Sequence, residues 1–349
     1  MTHLLEIKNL QVSFPTHDGL VRAVDGVDLT LDRGELVAIV GESGSGKTVT
    51  SLSVMGLHNH RTTQVAGEIL VQTENGVVDV VRAEEPAVRG LRGKTVAMIF
   101  QDPMSSLHPY FNISDQLSEA YAIHNKASKS QSRARALEML ELVGIPEPAK
   151  RAKEYPHQFS GGMRQRVMIA MALINNPDVL IADEPTTALD VTVQAQILEL
   201  LRKLQREFQM GILLITHDLG VVAGVADRVN VMYAGRVVES GVVDDIYYNP
   251  LDPYTMALLA SIPSIASKDA GQLPAIPGQP PSMVSLPQGC SFQPRCSLSH
   301  LVPNGRCKRE MPELTEDEPG HLARCHLDLV SRKKAAAESR ASITAGGVA

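Results

Sequence analysis

The sequence predicts an α/β fold in which crossover helices flank a mainly parallel sheet, and three apolar runs are the basis of this prediction. Residues 36–40 are a short, wholly apolar run, and 179–182 and 212–216 have the same buried type of pattern, as expected for parallel strands that are covered on both faces. Helical spacing over 191–208 separates the last two runs. A strand, helix, strand order of this kind needs a crossover connection, which favours a parallel sheet.

Further elements follow from the same periodicities. Residues 4–12 and 21–31 alternate apolar and polar side chains, which predicts two strands, and 96–100 is another short apolar strand. Helical spacing over 114–143 predicts an inserted helical subdomain. A second helix, from 163 to 174, steps its apolar residues by three and four and ends before a proline.

The C-terminal part of the chain changes in character. Residues 229–233 and 236–239 predict a hairpin around a short turn. From Pro250 onward proline becomes dense and periodicity fades, so we expect a small irregular domain followed by a polar, Ala-rich, disordered tail. The predicted domains are 1–250, with the helical subdomain at about 101–160, then 251–330, and then the tail at 331–349.

The net charge, the longest apolar run and the cysteine content of the chain argue against several classes of protein. The 349 residues carry a formal net charge of -6 at pH 7, which argues against a nucleic-acid partner. The longest apolar run, 167–174, is far short of the roughly 20 residues that cross a bilayer. The first residues lack the apolar block of a secretory signal, so we expect a cytoplasmic protein. In a reducing compartment, four cysteines between 290 and 325 favour metal ligation or free thiols over disulfides.

A glycine-rich segment, 41–48, directly follows the strand at 36–40 and opens a predicted helix. Glycine permits backbone conformations in which successive N–H groups point at phosphate oxygens, and the helix start adds its positive dipole end. Lys47 would bridge the β- and γ-phosphates, and Thr48 would hold Mg²⁺. The alternative, a glycine-rich turn with an incidental lysine, is disfavoured by the preceding strand. The predicted nucleotide-binding residues of this phosphate loop are Gly41, Ser43, Gly44, Ser45, Gly46, Lys47 and Thr48.

Two carboxylates, Asp183 and Glu184, follow the apolar run 179–182, at the sheet edge where α/β proteins bind ligands. Asp183 suits the Mg²⁺ shell, and Glu184 suits the general base that polarises an attacking water. Acid pairs at strand ends are also common as caps. The prediction therefore depends on their combination with the phosphate loop.

A second glycine-rich helix start, 159–166, precedes the acid pair by one helix. An enzyme that binds a nucleotide with its phosphate loop does not need a second glycine-rich helix start to bind that same nucleotide. Here the sequence resembles the ATP-binding-cassette (ABC) family, whose signature motif usually has leucine at the position of Phe159. The resemblance implies that Ser160, Gly161 and Gly162 cap the ATP bound to an opposite subunit. An ordinary helix cap would explain Ser160 but not the two glycines.

The resemblance extends in order from the first strand to the predicted hairpin. It implies that Gln101 contacts Mg²⁺ and the attacking water, that Asp190 in the segment 188–190 meets its counterpart across a dimer, and that His217 senses the γ-phosphate. Phe14 would stack on adenine, although an aromatic residue at this place is about as often part of the core. His217 has the alternative of a satisfied structural histidine. The implied catalytic residues are Glu184, His217 and Gln101, and the implied Mg²⁺ ligands are Thr48, Gln101 and Asp183.

The C-terminal segments 253–255, 276–281, 286–290 and 292–296 resemble the extension on ATPases of oligopeptide and dipeptide importers and their nickel-importing relatives. This resemblance suggests a four-iron, four-sulfur (4Fe-4S) cluster, with zinc on the same thiolates as the competitor. The spacing C-x5-C-x10-C-x17-C fits neither the usual zinc pairs nor the usual ferredoxin run, so free thiols stay open. The four residues are Cys290, Cys296, Cys307 and Cys325.

The fold implied by the resemblance is a P-loop NTPase core of the RecA type, with an antiparallel β subdomain, an inserted α-helical subdomain and a small irregular, Cys-containing C-terminal domain. The implied function is an ATPase that powers import of dipeptides or oligopeptides as part of an ABC transporter. Its implied partners are a second ABC ATPase subunit, a distinct homologue, with two transmembrane permease subunits and an extracytoplasmic substrate-binding protein. The chain would lie at the cytoplasmic face of the membrane.

Other functions compete with this interpretation. Nickel or another small solute is the alternative cargo for an importer. Soluble ABC ATPases that act on ribosomes or DNA carry two cassettes or a long coiled coil, and this chain has one cassette and no heptad run. A kinase or GTPase would leave the signature motif unexplained. An exporter ATPase is disfavoured only by the resemblance of the C-terminal region.

Overall fold

The computed structural model describes residues 3–102, 106–187, 189–262 and 276–345. Its strands are β1 (Leu5–Thr16), β2 (Gly19–Leu31), β3 (Leu36–Val40), β4 (Gln64–Thr73), β5 (Gly76–Asp79), β6 (Val96–Ile99), β7 (Val179–Asp183), β8 (Gly211–Thr216), β9 (Arg228–Tyr233), β10 (Arg236–Val242), β11 (Thr315–Glu318) and β12 (His321–Ala323). Its helices are α1 (Lys47–Val54), α2 (Glu85–Leu91), α3 (Ile113–His124), α4 (Lys129–Leu142), α5 (Pro148–Arg151), α6 (Gly161–Leu173), α7 (Val191–Phe208), α8 (Leu219–Val222), α9 (Val243–Tyr248), α10 (Pro253–Ala260), α11 (Arg306–Arg309) and α12 (Leu329–Ala345). None of these helices is both long and apolar enough to cross a membrane.

The larger sheet has eight strands in the order β11-β12-β10-β9-β3-β8-β7-β6. The five strands from β9 to β6 in this order are parallel to one another, which confirms the predicted α/β fold. The C-terminal ends of β3, β6, β7 and β8 therefore lie along one edge. This edge brings together the phosphate loop, Gln101, the acid pair and His217.

The smaller sheet is antiparallel, with the order β2-β1-β4-β5. The sequence does not predict β4 or β5, because Gly67 and Gly76 interrupt their apolar pattern. Gly67 in fact allows β4 to pass close to β1: its φ is +98°, and a Cβ there would lie 2.5 Å from the backbone oxygen of Asn9. The pairing of the two strands shifts register between Lys8 and Gln11, so this glycine accompanies a bulge and does not end the strand.

Both faces of the larger sheet are covered, and β3 shows how. Leu36, Ala38 and Val40 belong to the core that includes the helical insert, whereas Val37 and Ile39 belong to the core under the antiparallel sheet. All five residues are buried. Successive side chains of a strand point to opposite faces, so a strand between two cores needs an unbroken apolar run.

The predicted helical insert consists of more than one helix. The single stretch at 114–143 divides into α3 and α4, and α4 begins with a capping box in which Ser128 and Gln131 satisfy each other's backbone N–H groups. Leu117 of α3 and Met139 of α4 are fully buried in the core that they share with the larger sheet. The insert is thus fixed to the sheet beside Gln101.

The C-terminal region is mostly irregular, but its hairpin joins the larger sheet. Ala323 and Leu322 of β12 pair with Glu239 and Ser240 of β10. Behind this pairing Nε2 of His321 donates to Oε1 of the buried Glu239 carboxylate at 2.7 Å. The region at 251–330 therefore extends the larger sheet in the described part of the chain.

The predicted disordered tail is corrected by the structure. The segment 331–345 lies within helix α12, and only 346–349 lie outside the described residues. Alanine is the strongest helix former, so an Ala-rich polar segment needs few inward contacts to stay helical. Arg332 supplies one of them: its side chain is 4% exposed and forms an ion pair with Asp317.

Candidate active site

The phosphate loop connects β3 to α1 in a conformation that two positions can adopt only as glycine. Gly41 and Gly46 have φ values of +151° and +103°. A Cβ at Gly41 would lie 2.1 Å from the backbone oxygen of Met232, and one at Gly46 would lie 2.4 Å from that of Ala23. The loop is thus pressed against neighbouring backbone, which fixes where Lys47 begins α1.

Lys47 is the cation of this loop and is 5% exposed. Its Nζ donates to the backbone oxygens of Gly41, at 2.8 Å, and Glu42, at 3.0 Å. Burial lowers the pKa of Lys47, and the negative charges of Glu184, Asp183 and Glu42 partly oppose this. The direct hydrogen-bond partners of the ammonium are neutral carbonyls, so a bound phosphate would add a charged partner in contact with it.

The remaining loop residues leave room for a ligand. Ser43, Gly44 and Thr48 are exposed. Ser45 is buried, and its hydroxyl oxygen has no hydrogen-bond partner among the described residues. A buried hydroxyl without a partner is costly, and a bound phosphate oxygen would satisfy it.

Asp183 ends β7 directly beside the start of α1. Thr48 donates from Oγ1 to Oδ1 of Asp183 at 3.3 Å, and Ser51 donates to Oδ2 at 3.5 Å. Burial raises the pKa of Asp183, while the hydrogen bond from Thr48 acts in the opposite direction. Hydroxyl and carboxylate oxygens are the ligands that Mg²⁺ prefers, so these two residues fit the predicted cation site.

Glu184 is the residue on which the other predicted catalytic groups converge. Gln101 donates from Nε2 to Oε2 at 2.8 Å, and Nδ1 of His217 lies 3.1 Å from Oε1. Thr187, to which the sequence analysis gave no role, donates to Oε2 at 2.9 Å. Glu184 itself has φ of +46°, and its backbone N–H donates to Ile215 on β8 at 2.8 Å. The tight turn after β7 therefore aims the carboxylate across the edge of the sheet.

The charge of Glu184 follows from these contacts. Burial, the largest single influence, raises the pKa of its carboxyl group. Hydrogen bonds from Thr187 and His217, with the positive charge of Lys47, together lower the pKa of this carboxyl group below its usual value. The group is therefore ionised at neutral pH and can accept a proton.

The signature segment, 159–166, leads into α6, with Phe159 buried in the core and Ser160 at the surface. Ser160 is exposed and caps the helix, accepting from the backbone N–H of Met163 at 3.3 Å. Gly162 packs closely on α7, where a Cβ would lie 2.8 Å from Cγ1 of Val193. Gly161 has an ordinary distance of 3.4 Å to Leu189. The helix contact accounts for the glycine at 162, which the cap alone does not.

Asp190 and Phe14, which the resemblance assigned to a dimer contact and to adenine, make contacts within this chain. Asp190 caps α7 by accepting from the backbone N–H of Val193 at 3.0 Å, and Ala188 before it lies outside the described residues. The ring of Phe14 meets that of His58 edge-on, with 5.9 Å between centroids, and packs on the core under the antiparallel sheet. The structure does not place either residue within hydrogen-bonding reach of Glu184.

The C-terminal region also reaches the phosphate loop, which sequence reasoning missed. Arg295 donates to both carboxylate oxygens of Glu42, at 2.6 and 2.9 Å, and Tyr254 Oη accepts from the backbone N–H of Glu42 at 2.8 Å. Arg295 and Glu42 are 253 residues apart, so no local pattern could have revealed the pair. Its only signal is that both residues lie in motifs already singled out.

The predicted 4Fe-4S cluster, and zinc as its competitor, are not supported. Within the described ranges, no group of three or more His, Cys, Asp or Glu side chains could hold a metal ion. All four cysteines are free thiols that line one cavity of about 20 Å³. Burial raises the pKa of Cys290 to about 12 and of Cys296 to about 11, which keeps these thiols neutral.

Comparisons with known protein sequences agree with this geometry. The family model described as ABC transporter matches residues 24–187, and the model described as the C-terminal region of oligopeptide/dipeptide transporters matches 238–301. The chain is 52% identical to the dipeptide transport ATP-binding protein DppD of Bacillus subtilis, over 94% of this chain and 95% of that protein. It is 49% identical to the oligopeptide transport ATP-binding protein OppD of Salmonella typhimurium, over 92% and 93% respectively.

Solved structures match the cassette part of the chain. One is a dimeric post-hydrolysis state of the ATP-binding cassette MJ0796 bound to ADP and Pi, with 28% identity, a TM-score of 0.60, and coverage of 68% of this chain and 98% of that one. Another is cbiO1 of Clostridium perfringens, part of an ABC transporter complex, with 29% identity, a TM-score of 0.60, and coverage of 71% and 92%. The chain therefore belongs to the ABC transporter family, among the dipeptide and oligopeptide transport ATP-binding proteins.

Proposed function

We propose that this chain is the ATP-hydrolysing subunit of a peptide importer. One observation carries the proposal: the Glu184 carboxylate is held by Gln101 and His217 at the edge of the sheet where Lys47 and Asp183 lie. This arrangement supplies a phosphate-binding cation, a magnesium ligand and an ionised base in one place. The relatives that are named for dipeptide and oligopeptide transport support the choice of cargo.

Each group in the site has a proposed role. The phosphate loop binds the triphosphate of ATP, with Lys47 on the β- and γ-phosphates. Mg²⁺ would be held by Thr48 and Asp183, with Gln101 beside it, and would neutralise charge that develops on the phosphate oxygens. Glu184 accepts the proton of the attacking water. His217, in hydrogen-bond contact with Glu184, orients that carboxylate and senses the γ-phosphate.

A second ATPase subunit completes the site in this proposal. Ser160 and the N–H groups of Gly161 and Gly162 form an exposed helix N-terminus, which is suited to an anion. They would close over ATP bound by the neighbour, while the neighbour's equivalent segment closes over the phosphate loop of this chain. Asp190 and Phe14 would contact the partner and the adenine, respectively. We favour a distinct homologue as the partner.

Opening and closing of this pair would drive the transporter. The region between Gln101 and Gln158 exposes large aromatic side chains, which is unusual for a surface that stays in water. These residues are Tyr110, Phe111 and Tyr155, with exposed fractions of 82%, 54% and 41%, and Phe100, directly before the region, is 40% exposed. We propose that this surface contacts two transmembrane permease subunits at the cytoplasmic face of the membrane. An extracytoplasmic substrate-binding protein would deliver the peptide.

Replacing the proposed base tests the function directly. In a complex reconstituted with its permeases, Glu184→Gln should cut ATP turnover by on the order of 10² to 10⁴, because the amide cannot accept the proton. It should also hold the ATP-bound, closed pair. The measurement is phosphate release together with peptide uptake into vesicles.

The matched control is Glu207→Gln, the same chemical change on the exposed face of α7, which should leave both rates unchanged. Turnover of Glu184→Gln at the rate of the unmodified complex would remove Glu184 from the role of base. Copurification of the chain with ribosomes or DNA ends, and without permeases, would contradict the transporter. Uptake of nickel in place of peptide would change the cargo and leave the ATPase assignment intact.

A further inference from the structure

Every backbone and side-chain polar group of Glu42, the second residue of the phosphate loop, has a partner. Its N–H donates to Tyr254 Oη at 2.8 Å, and its carbonyl oxygen accepts from Lys47 Nζ at 3.0 Å. Its carboxylate accepts from both terminal nitrogens of Arg295, at 2.6 and 2.9 Å. Tyr254 and Arg295 both come from the C-terminal region, so this region holds the loop at one residue from two directions.

Arg295 is itself rigidly held on the side of the C-terminal region. Its side chain is only 4% exposed. Its Nε donates to the backbone oxygen of Pro277 at 2.9 Å, and Nη1 lies 3.3 Å from the hydroxyl of Tyr233. The guanidinium also lies over the ring of Phe292, with its central carbon 6.0 Å from the ring centroid. A planar guanidinium that these contacts hold in place also fixes the position of the carboxylate that it binds.

We propose that Arg295 is a positioning residue of the nucleotide site: by holding Glu42, it keeps the phosphate loop in the shape that receives the phosphates of ATP. The link to the ligand is Lys47, whose Nζ is bonded to the carbonyl oxygen of the same Glu42. If Glu42 moves, the Lys47 ammonium and the adjacent backbone N–H groups no longer point at the phosphates of ATP. This inference rests on the proposed function, since it assumes that the loop binds nucleotide.

A comparable ion pair in the same region provides the control. Arg332 donates to both carboxylate oxygens of Asp317, at 2.7 and 2.8 Å, and its side chain is also 4% exposed. This pair joins α12 to β11 and makes none of its described hydrogen bonds to the phosphate loop. Loss of either pair should lower the thermal stability, but only the Arg295 pair should affect nucleotide binding.

The test measures binding of MgADP to the full chain by titration calorimetry. Arg295→Met should raise the Kd by about two- to thirtyfold, the range expected for coupling through a neighbouring contact. Arg332→Met should leave the Kd within about twofold of the unmodified chain. Glu42→Gln removes the same ion pair from its more exposed end, and it should raise the Kd by a similar factor.

The double variant Glu42→Gln, Arg295→Met should bind no more weakly than the weaker single variant, because both changes remove one interaction. If Arg295→Met does not fold, Glu42→Gln alone decides the matter. An unchanged Kd in Glu42→Gln and in folded Arg295→Met, with normal binding by the unmodified chain, would overturn the inference. Failure of the unmodified chain to bind MgADP would instead overturn the proposed function.

Discussion

Gly46 offers a sharp test of how the phosphate loop is built. Adding one methyl group in Gly46→Ala places a Cβ 2.4 Å from the backbone oxygen of Ala23 on β2. Ordinary contacts of a Cβ begin at 3.4 Å, so loop and strand must separate by about 1 Å, the difference between these two distances. Gly44→Ala is the matched control, since its φ is also positive, at +78°, but nothing lies within 4 Å of the new methyl group.

The two variants should therefore differ in cost. Gly44→Ala is strained only by its left-handed backbone, at about 1–2 kcal/mol. Gly46→Ala adds displacement of the loop from β2 to a comparable backbone strain, for a total of about 3 kcal/mol or more. Because 1.4 kcal/mol is a tenfold change in affinity, we expect the Kd for MgADP to rise about a hundredfold if that cost falls on the binding-competent loop.

The assay is calorimetric binding of MgADP by both variants, with thermal unfolding to verify that each chain is folded. Gly46→Ala should bind far more weakly than Gly44→Ala at 25 °C. Equal affinities for the two variants would refute the argument, because the close approach to Ala23 would then have no effect on the loop.

Two further predictions concern Glu184 and the signature segment. Thr187→Val removes a hydrogen bond that lowers the pKa of Glu184, so the pKa should rise and the acid limb of the kcat profile of the reconstituted complex should move to higher pH; an acid limb that stays in place would exclude this role for Thr187. Ser160→Ala should lower the free energy of unfolding by about 1 kcal/mol, because the helix cap is lost. It should leave MgADP binding by the isolated chain unchanged. In the assembled complex it should lower ATP turnover about tenfold or more, because the contact to a charged phosphate is lost. Weaker nucleotide binding by the isolated Ser160→Ala chain would show that Ser160 serves its own site instead.

Elements whose signal is local were predicted well. The bounds of β3 and α7 match the predicted 36–40 and 191–208, because an unbroken apolar run defines the first and Asp190 caps the second. Strand β4 was missed because Gly67 looks like a break, although it marks a close approach to β1. Strand β11 has no apolar alternation at all, since it consists of Thr-Glu-Asp-Glu. Its existence depends on pairing with β12, which a local pattern does not contain.

In the candidate active site, too, some residues were predictable from local motifs and others depend on the fold. Lys47, Asp183 and Glu184 lie in short motifs next to recognisable strands, so their chemistry is readable from spacing. The resemblance placed Gln101 and His217 in the same site as Glu184, but their direct contacts with its carboxylate were not predicted, because these depend on which strands are neighbours. The ion pair between Glu42 and Arg295 depends on where the whole C-terminal region docks. Complementary charges are present in many positions of any sequence, and only the fold selects this pair.

The pairing of β12 with β10 also determines how two such cassettes can associate. A sheet that ended at β10 would present unpaired backbone groups, which invite a second sheet to add on. The hairpin replaces that edge with β11, whose outermost residues include three consecutive acids, Glu316, Asp317 and Glu318. Asp317 is paired with Arg332 and Glu318 with Lys333, so a second sheet that added to this edge would have to bury charged groups, which is costly. Lateral stacking through the sheet is thereby discouraged, which leaves other faces of the molecule free for productive assembly.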